Sequence, residues 1–223
     1  MSEASWKRVR LKDISSKVGS GATPRGGKNV YVERGISLIR SQNVYDLNFE
    51  YSDLAHITDN QAEDLDNVTV RRNDILLNIT GASVARCTIA PNDILPARVN
   101  QHVAIIRVME DVASPHFVLY SLVSSQNKNR LLTLAQVGAT REALTKERIE
   151  QFEIDIPASL GEQRRIATIL HNYDLLRKVN LQRIYLIEQM ARLIYDKWFV
   201  KFKFPGHEKV KMVASELGTV PGG

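Results

Sequence analysis

The pattern of apolar and polar positions changes character along the chain. Through the first two thirds, apolar residues come in short alternating or clustered runs separated by turn formers. Trp6, Val9 and Leu11 open an alternating run that predicts a strand, and Gly19-Ser-Gly-Ala-Thr-Pro-Arg-Gly-Gly-Lys28 is a turn-rich loop, unsuited to a helix or a central strand. Residues 35–40 predict a strand feeding the polar loop Ser41, Gln42, Asn43. Further strands are expected at 74–80, 85–90 and 102–108, and helices at 60–65 and 115–134. The mixture has no regular strand–helix rhythm, so it reads as an irregular α+β domain. Its end is expected at 156–157, where Pro157 closes a strand and Ser159 or Gly161 can start a helix.

From residue 162 to about 202 there is no Pro or Gly, and helix formers dominate. One helix of roughly 60 Å follows at about 1.5 Å per residue. A heptad frame places Ile166, Tyr173, Asn180, Ile187 and Ile194 at one core position and Leu170, Arg177, Ile184, Ala191 and Trp198 at the other. Eight of these ten are apolar, and such a seam needs a partner helix to leave water. The helix-pairing candidates are therefore Ile166, Leu170, Tyr173, Ile184, Ile187, Ile194 and Trp198, with Asn180 and Arg177 as polar interruptions that can fix register. A second stripe through Ile169, Leu176, Val179, Leu186, Met190, Leu193 and Val200 widens the apolar surface. The competing reading is an ordinary amphipathic helix folded back on the domain. The chain thus divides into a domain at 1–156, a long spacer or dimerisation helix at 157–204 and a tail at 205–223.

Composition narrows this picture. With 43% hydrophobic residues over 223 positions, the chain can bury a sizeable core and is not disordered. A single cysteine, Cys87, cannot close an intrachain disulfide, the start of the chain is charged where a secretion signal needs an apolar run, and apolar stretches fall far short of a membrane span. A soluble, cytoplasmic protein is expected. The net charge of +5 lies wholly in residues 156–223, which hold 11 Lys and Arg against 6 Asp and Glu. Within the neutral remainder the charges also separate: residues 1–49 carry 9 basic groups against 4 acidic, and residues 50–67 carry 6 acidic groups and no basic one. A dipolar domain of this kind suits a polyanion, although an excess this small does not demand one.

Catalytic patterns fail on inspection. The loop from Gly21 to Lys28 is one residue too long for a phosphate loop, and Asn29 stands where Ser or Thr would bind magnesium. No dinucleotide fingerprint follows a strand, no Asn/Asp-Pro-Pro-Tyr/Phe run is present to hold a flipped base, and the five histidines lack metal-ligand spacing. Cys87 sits in a strand-like run beside Arg86 and reads as a buried structural residue. Arg165 and His171 are similar to the Arg/His pair of HEPN ribonucleases, but six residues turn a helix through about 600°, which puts them on different faces.

A resemblance emerges from longer stretches. Trp6-Lys-Arg-Val-Arg-Leu-Lys-Asp-Ile14, Gly19-Ser-Gly-Ala-Thr-Pro24, Gly35-Ile-Ser-Leu-Ile-Arg40 and Asn43 resemble the first target recognition domain of a specificity subunit of Type I restriction-modification systems. Gly138-Ala-Thr, Leu144, Ile154-Asp-Ile-Pro157, Glu162-Gln163, Ile166-Ala167, Ile169-Leu170 and the ending Trp198-Phe-Val-Lys-Phe-Lys-Phe-Pro-Gly206 resemble that family's junction and spacer helix. The likeness runs from Trp6 to Gly206. A full subunit of the family repeats domain and helix twice, with the helices antiparallel, whereas one copy stands here; the tail from Leu217 to Gly223 looks like the lead into another. Either a half-length subunit or an N-terminal fragment of a longer one would read this way.

The resemblance implies a chain that does no chemistry and holds no cofactor. It would choose the double-stranded DNA site at which a separate methyltransferase subunit moves a methyl group from S-adenosylmethionine to adenine, and a translocating nuclease subunit could join. The recognition surfaces of the family vary with their targets, so candidate DNA-binding residues rest on side-chain chemistry alone: Arg25 and Lys28 in the Gly-rich loop, Arg40, Gln42 and Asn43 after a strand, Arg86, and Asn100, Gln101 and His102 before the next strand. The turn Gly81-Ala-Ser83 could let backbone approach phosphate. A ribonuclease using Arg165 and His171, and a coiled-coil scaffold without DNA affinity, are the alternatives.

Overall fold

A computed structural model describes residues 5–26, 30–136, 143–216 and 218–222. The chain forms two compact units, residues 1–170 and 171–223.

The first unit is α+β. In chain order it contains β1 (Trp6–Arg10), α1 (Leu11–Ile14), β2 (Ser15–Ser20), β3 (Ile36–Ile39), β4 (Val44–Tyr45), β5 (Asn48–Phe49), β6 (Ala55–Ile57), α2 (Asp59–Asp64), β7 (Thr69–Val70), β8 (Ile75–Asn78), β9 (Cys87–Ile89), β10 (Ala97–Val99) and β11 (Val103–Val108). There follow α3 (Pro115–Val123), α4 (Ser125–Gln136), α5 (Lys146–Glu150), β12 (Glu153–Pro157) and the start of α6 (Leu160–Tyr195).

Two four-stranded sheets carry the architecture. One has the order β2-β11-β8-β9 with every pairing antiparallel; the other has the order β6-β3-β10-β7, in which β3 and β10 run parallel. The first sheet is buried on both faces. Ile75, Leu77, Ala104 and Ile106 face a core shared with α3, α4 and α5, while Leu76, Val103 and Ile105 face a second core shared with Leu38, Ile39, Val70 and Val99 of the other sheet. That is why the run Ile75-Leu76-Leu77 is continuously apolar instead of alternating. Each such side chain, fully buried, stabilises by about 1.5–3 kcal/mol.

Local chemistry sets the helix ends. Thr58 and Gln61 form a reciprocal capping box on α2 (Gln61 N to Thr58 Oγ1 3.3 Å, Thr58 N to Gln61 Oε1 2.9 Å). The helix expected over 115–134 is two helices. Ser124 adopts an extended ψ of 142°, and its Oγ accepts from Asn127 N at 3.4 Å, which ends α3 and starts α4. Ser159 caps α6, its Oγ accepting from Glu162 N at 3.4 Å.

The first turns of α6 belong to the core of this unit. Gln163 is fully buried, accepting from Ser114 N at 2.9 Å and donating to Pro157 O at 2.8 Å. Ala167 is buried beside it, and Ile166 packs against the same core. Ile166, placed in the pairing seam by its heptad position, therefore has an intramolecular partner: the first two turns of the helix dock on the domain, and the frame cannot tell such docking from pairing.

In the second unit, α6 continues to Tyr195 and gives way to one π-helical turn at Asp196–Val200. It stops at Phe202, whose φ of 52° is left-handed; Lys203 N bonds back to Lys197 O at 2.7 Å. A hairpin of β13 (Met212–Ser215) and β14 (Gly218–Pro221) follows.

Candidate nucleic-acid interface

Three loops of the first unit meet around an open groove of about 480 Å³. The organiser is Asn78 at the end of β8. This fully buried side chain points its Nδ2 at Ser41 O (2.8 Å), Val44 O (3.2 Å) and Ser83 Oγ (3.1 Å), so one amide ties the loop after β3 to the turn after β8. That turn needs left-handed backbone at Gly81 (φ 72°) and Ala85 (φ 65°). The Ala85 N–H to Asn78 O bond (2.9 Å) and the Asn78 N–H to Arg86 O bond (2.8 Å) close it. Arg86 is thereby brought over the ring of Tyr45, 4.7 Å from its centroid.

The opposite wall comes from the connection between β10 and β11. Asn100 Oδ1 accepts from His102 N at 3.0 Å, and His102 Nδ1 lies 2.7 Å from Thr80 Oγ1. Gln101 Oε1 accepts from Thr23 of the Gly-rich loop, and its Nε2 lies 3.2 Å from His102 Nε2. Gly21 permits this approach of the two loops: a Cβ there would lie 1.8 Å from Val99 O.

The groove thus gathers Gln42, Arg86 and His102 with the Gly81–Ser83 turn, and among the described residues no carboxylate lines it. The remaining candidates divide by what their polar heads already do. Asn43 is 0% exposed: its Oδ1 accepts from Arg40 N (3.0 Å) and its Nδ2 donates to Glu50 O (2.9 Å), so it staples the loop. Arg40 donates to Asp53 O and lies over the ring of Tyr31, which makes it a brace of the same loop. Asn100 and Gln101 are occupied as described. By contrast, among the described residues the Gln42 amide and the Arg86 guanidinium make no hydrogen bond to protein.

Arg25 lies elsewhere, in a cleft with Gln61 and Asp64, and Lys28 falls outside the described residues. A basic hollow lined by Lys12, Lys17 and Lys146, with Glu150, was not anticipated. Nor were Tyr45, Asn78 and Thr80 as parts of the groove, since none carries a sequence signal beyond its residue type.

Burial pushes the Cys87 thiol well above its ordinary range. Arg165 is exposed and donates to Glu162 Oε1 at 2.8 Å. Among the described residues no cluster of His, Cys, Asp and Glu could hold a metal, and no helix is long and apolar enough to cross a membrane.

The fold is a mixed α+β domain followed by a long helix, and the chain belongs to the family of Type I restriction modification DNA specificity domains, whose model matches residues 3–189. It is 26% identical over 202 residues to the MjaIX specificity subunit of Methanocaldococcus jannaschii, covering 89% of this chain and 44% of that protein. It is 22% identical over 200 residues to the HindI specificity subunit of Haemophilus influenzae, covering 88% and 41%. The chain therefore spans less than half the length of these relatives. Among solved structures, the S subunit of a Type I restriction-modification system from M. genitalium matches with a TM-score of 0.59 at 16% identity, covering 89% of this chain and 46% of that one. The HsdS subunit from Thermoanaerobacter tengcongensis matches with 0.57 at 20%, covering 87% and 44%. The ribonuclease reading of Arg165 and His171 gains no support from this family.

Proposed function

We propose that this chain selects the DNA sequence on which a Type I restriction-modification enzyme acts. It would do no chemistry; a methyltransferase subunit, carrying S-adenosylmethionine, would methylate adenine at the chosen site in the cytoplasm, and a translocating nuclease subunit could join the complex. The observation that carries this reading is a groove holding Gln42 and Arg86, whose polar heads make no hydrogen bond to protein among the described residues, in a chain of a DNA-specificity family. Asparagine and glutamine match adenine, and arginine matches guanine, in the major groove.

The long helix supports a second part of the reading. In the second unit Tyr173, Ile184, Ile187, Ile194 and Trp198 are all at least 37% exposed, and an apolar stripe of this length is an association surface. A second copy of the helix matches it in length and pattern, so we take the working form to be a homodimer through the helices. Fluorescence anisotropy with randomised duplexes, with the methyltransferase partner present, tests the reading: binding should be salt-dependent and sequence-selective. Sequence-independent or absent binding would overturn it.

A further inference from the structure

We infer that Arg86 reads a guanine and that Tyr45 is the positioning residue that holds it ready to do so. This rests on the DNA-recognition reading above and goes further, since it names a base pair in the target and assigns a residue outside the reading edge.

An arginine on an open loop has four rotatable bonds and makes a poor reader until it is ordered. Here the guanidinium carbon lies over the Tyr45 ring, 4.7 Å from its centre, and Tyr45 is itself 41% exposed at the tip of the β4–β5 ribbon. Contact with a ring orders the side chain without tying its forked N–H donors to a protein acceptor. Arg86 uses none of those donors on protein among the described residues, whereas Arg40, Arg98 and Arg107 all hydrogen-bond protein carbonyls or carboxylates. The fork fits the O6 and N7 acceptors of guanine, two parallel acceptors on one edge.

The base of the ribbon is as firmly held. Asn78 fixes Val44 O, next to Tyr45, through its side-chain amide and closes the turn carrying Arg86 through its backbone, so both partners of the contact hang from one buried residue. Preorganisation on two rigid supports is what a discriminating contact requires; a phosphate contact needs only the charge.

The test uses the complex of the full chain with its methyltransferase subunit, selecting bound sites from randomised duplexes. The wild type should select a motif with one invariant G·C pair that Arg86→Lys and Arg86→Ala both relax by about tenfold or more, while the other positions of the motif persist. Tyr45→Leu should relax the same pair by about threefold or more with the salt slope unchanged, and Tyr45→Phe should restore it. Melting temperatures close to wild type would show that the variants fold, and Arg86→Lys, which keeps the charge, remains informative should Arg86→Ala unfold. If Arg86→Lys keeps the whole motif, or Arg86→Ala weakens all sites evenly and lowers the salt slope by about one, Arg86 contacts phosphate and the inference fails. Tyr45→Leu behaving as wild type would remove the positioning role. A wild-type complex that selects no motif would instead overturn the recognition reading itself.

Discussion

At the scale of single residues, the division that matters is between polar heads already committed to the protein and those left open. Gln42, Asn43 and Arg40 are neighbours of similar chemistry, yet Asn43 is sealed into its loop and Arg40 braces it, while Gln42 stands exposed at the groove. Gln42→Ala should therefore change the preferred base at one position, at a cost of about 1–3 kcal/mol for a lost bidentate pair. Lys28→Ala, if that lysine meets phosphate as the Gly-rich loop suggested, should weaken all sites alike and flatten the salt dependence. Competition binding with single-base variants at two salt concentrations checks both; equal, uniform losses would show that the two residues do the same job. Sequence could not make this division, because commitment depends on carbonyls such as Glu50 O and Asp53 O that the fold brings near. Candidate types were legible, but their state was not. Tyr45 and Asn78 went unseen for the same reason, since a tyrosine and an asparagine acquire a role here only through what lies across from them.

At the scale of elements, the strands with strong apolar runs were legible, and those without were not. Ile36–Ile39, Ile75–Asn78 and Val103–Val108 follow from side chains that must leave water. Ser15–Ser20 has one buried apolar residue, Val18, and Ala97–Val99 carries Arg98 into the interior, where its Nε donates to Ala62 O at 2.9 Å. Neither pattern announces a strand, because tertiary pairing supplies what propensity lacks. The long helix was legible in extent, but its division of labour was not. Gln163, polar in sequence, is the buried clamp, while apolar residues beyond residue 170 stay exposed. The clamp fixes the first two turns of the helix to the domain. Inserting one heptad after Asn180 adds about 10 Å of helix, so the unread gap in a bipartite target should grow by up to roughly three base pairs, fewer if the helix is inclined to the DNA. Mapping methylated sites of the variant complex would check this. The bases read should not change; altered bases with an unaltered gap would contradict the spacer role.

At the scale of the whole molecule, function is set by how many recognition domains meet the DNA and by what relates them. If the groove reads bases as proposed, one domain would read only a few base pairs, too few to mark a rare site. Two domains joined through their helices would read a bipartite site, and identical copies related by a two-fold axis must read the same bases on opposite strands. The target is then an interrupted palindrome. The stripe through Ile184, Ile187 and Ile194 is the surface on which this depends, and burying it in a seam would stabilise association by roughly 25 cal/mol for each Å² withdrawn from water. Replacing Ile187 and Ile194 with Asp places two carboxylates in that seam, where they would have to be desolvated without partners. The double variant should run as a monomer in light scattering and lose selection of the paired site. Its domain should stay folded, because the residues that dock the helix on it, Gln163 and Ala167, lie about 20 positions earlier and are untouched. A wild-type chain that is monomeric at micromolar concentration, or an assembled complex with an asymmetric target, would exclude the two-fold arrangement.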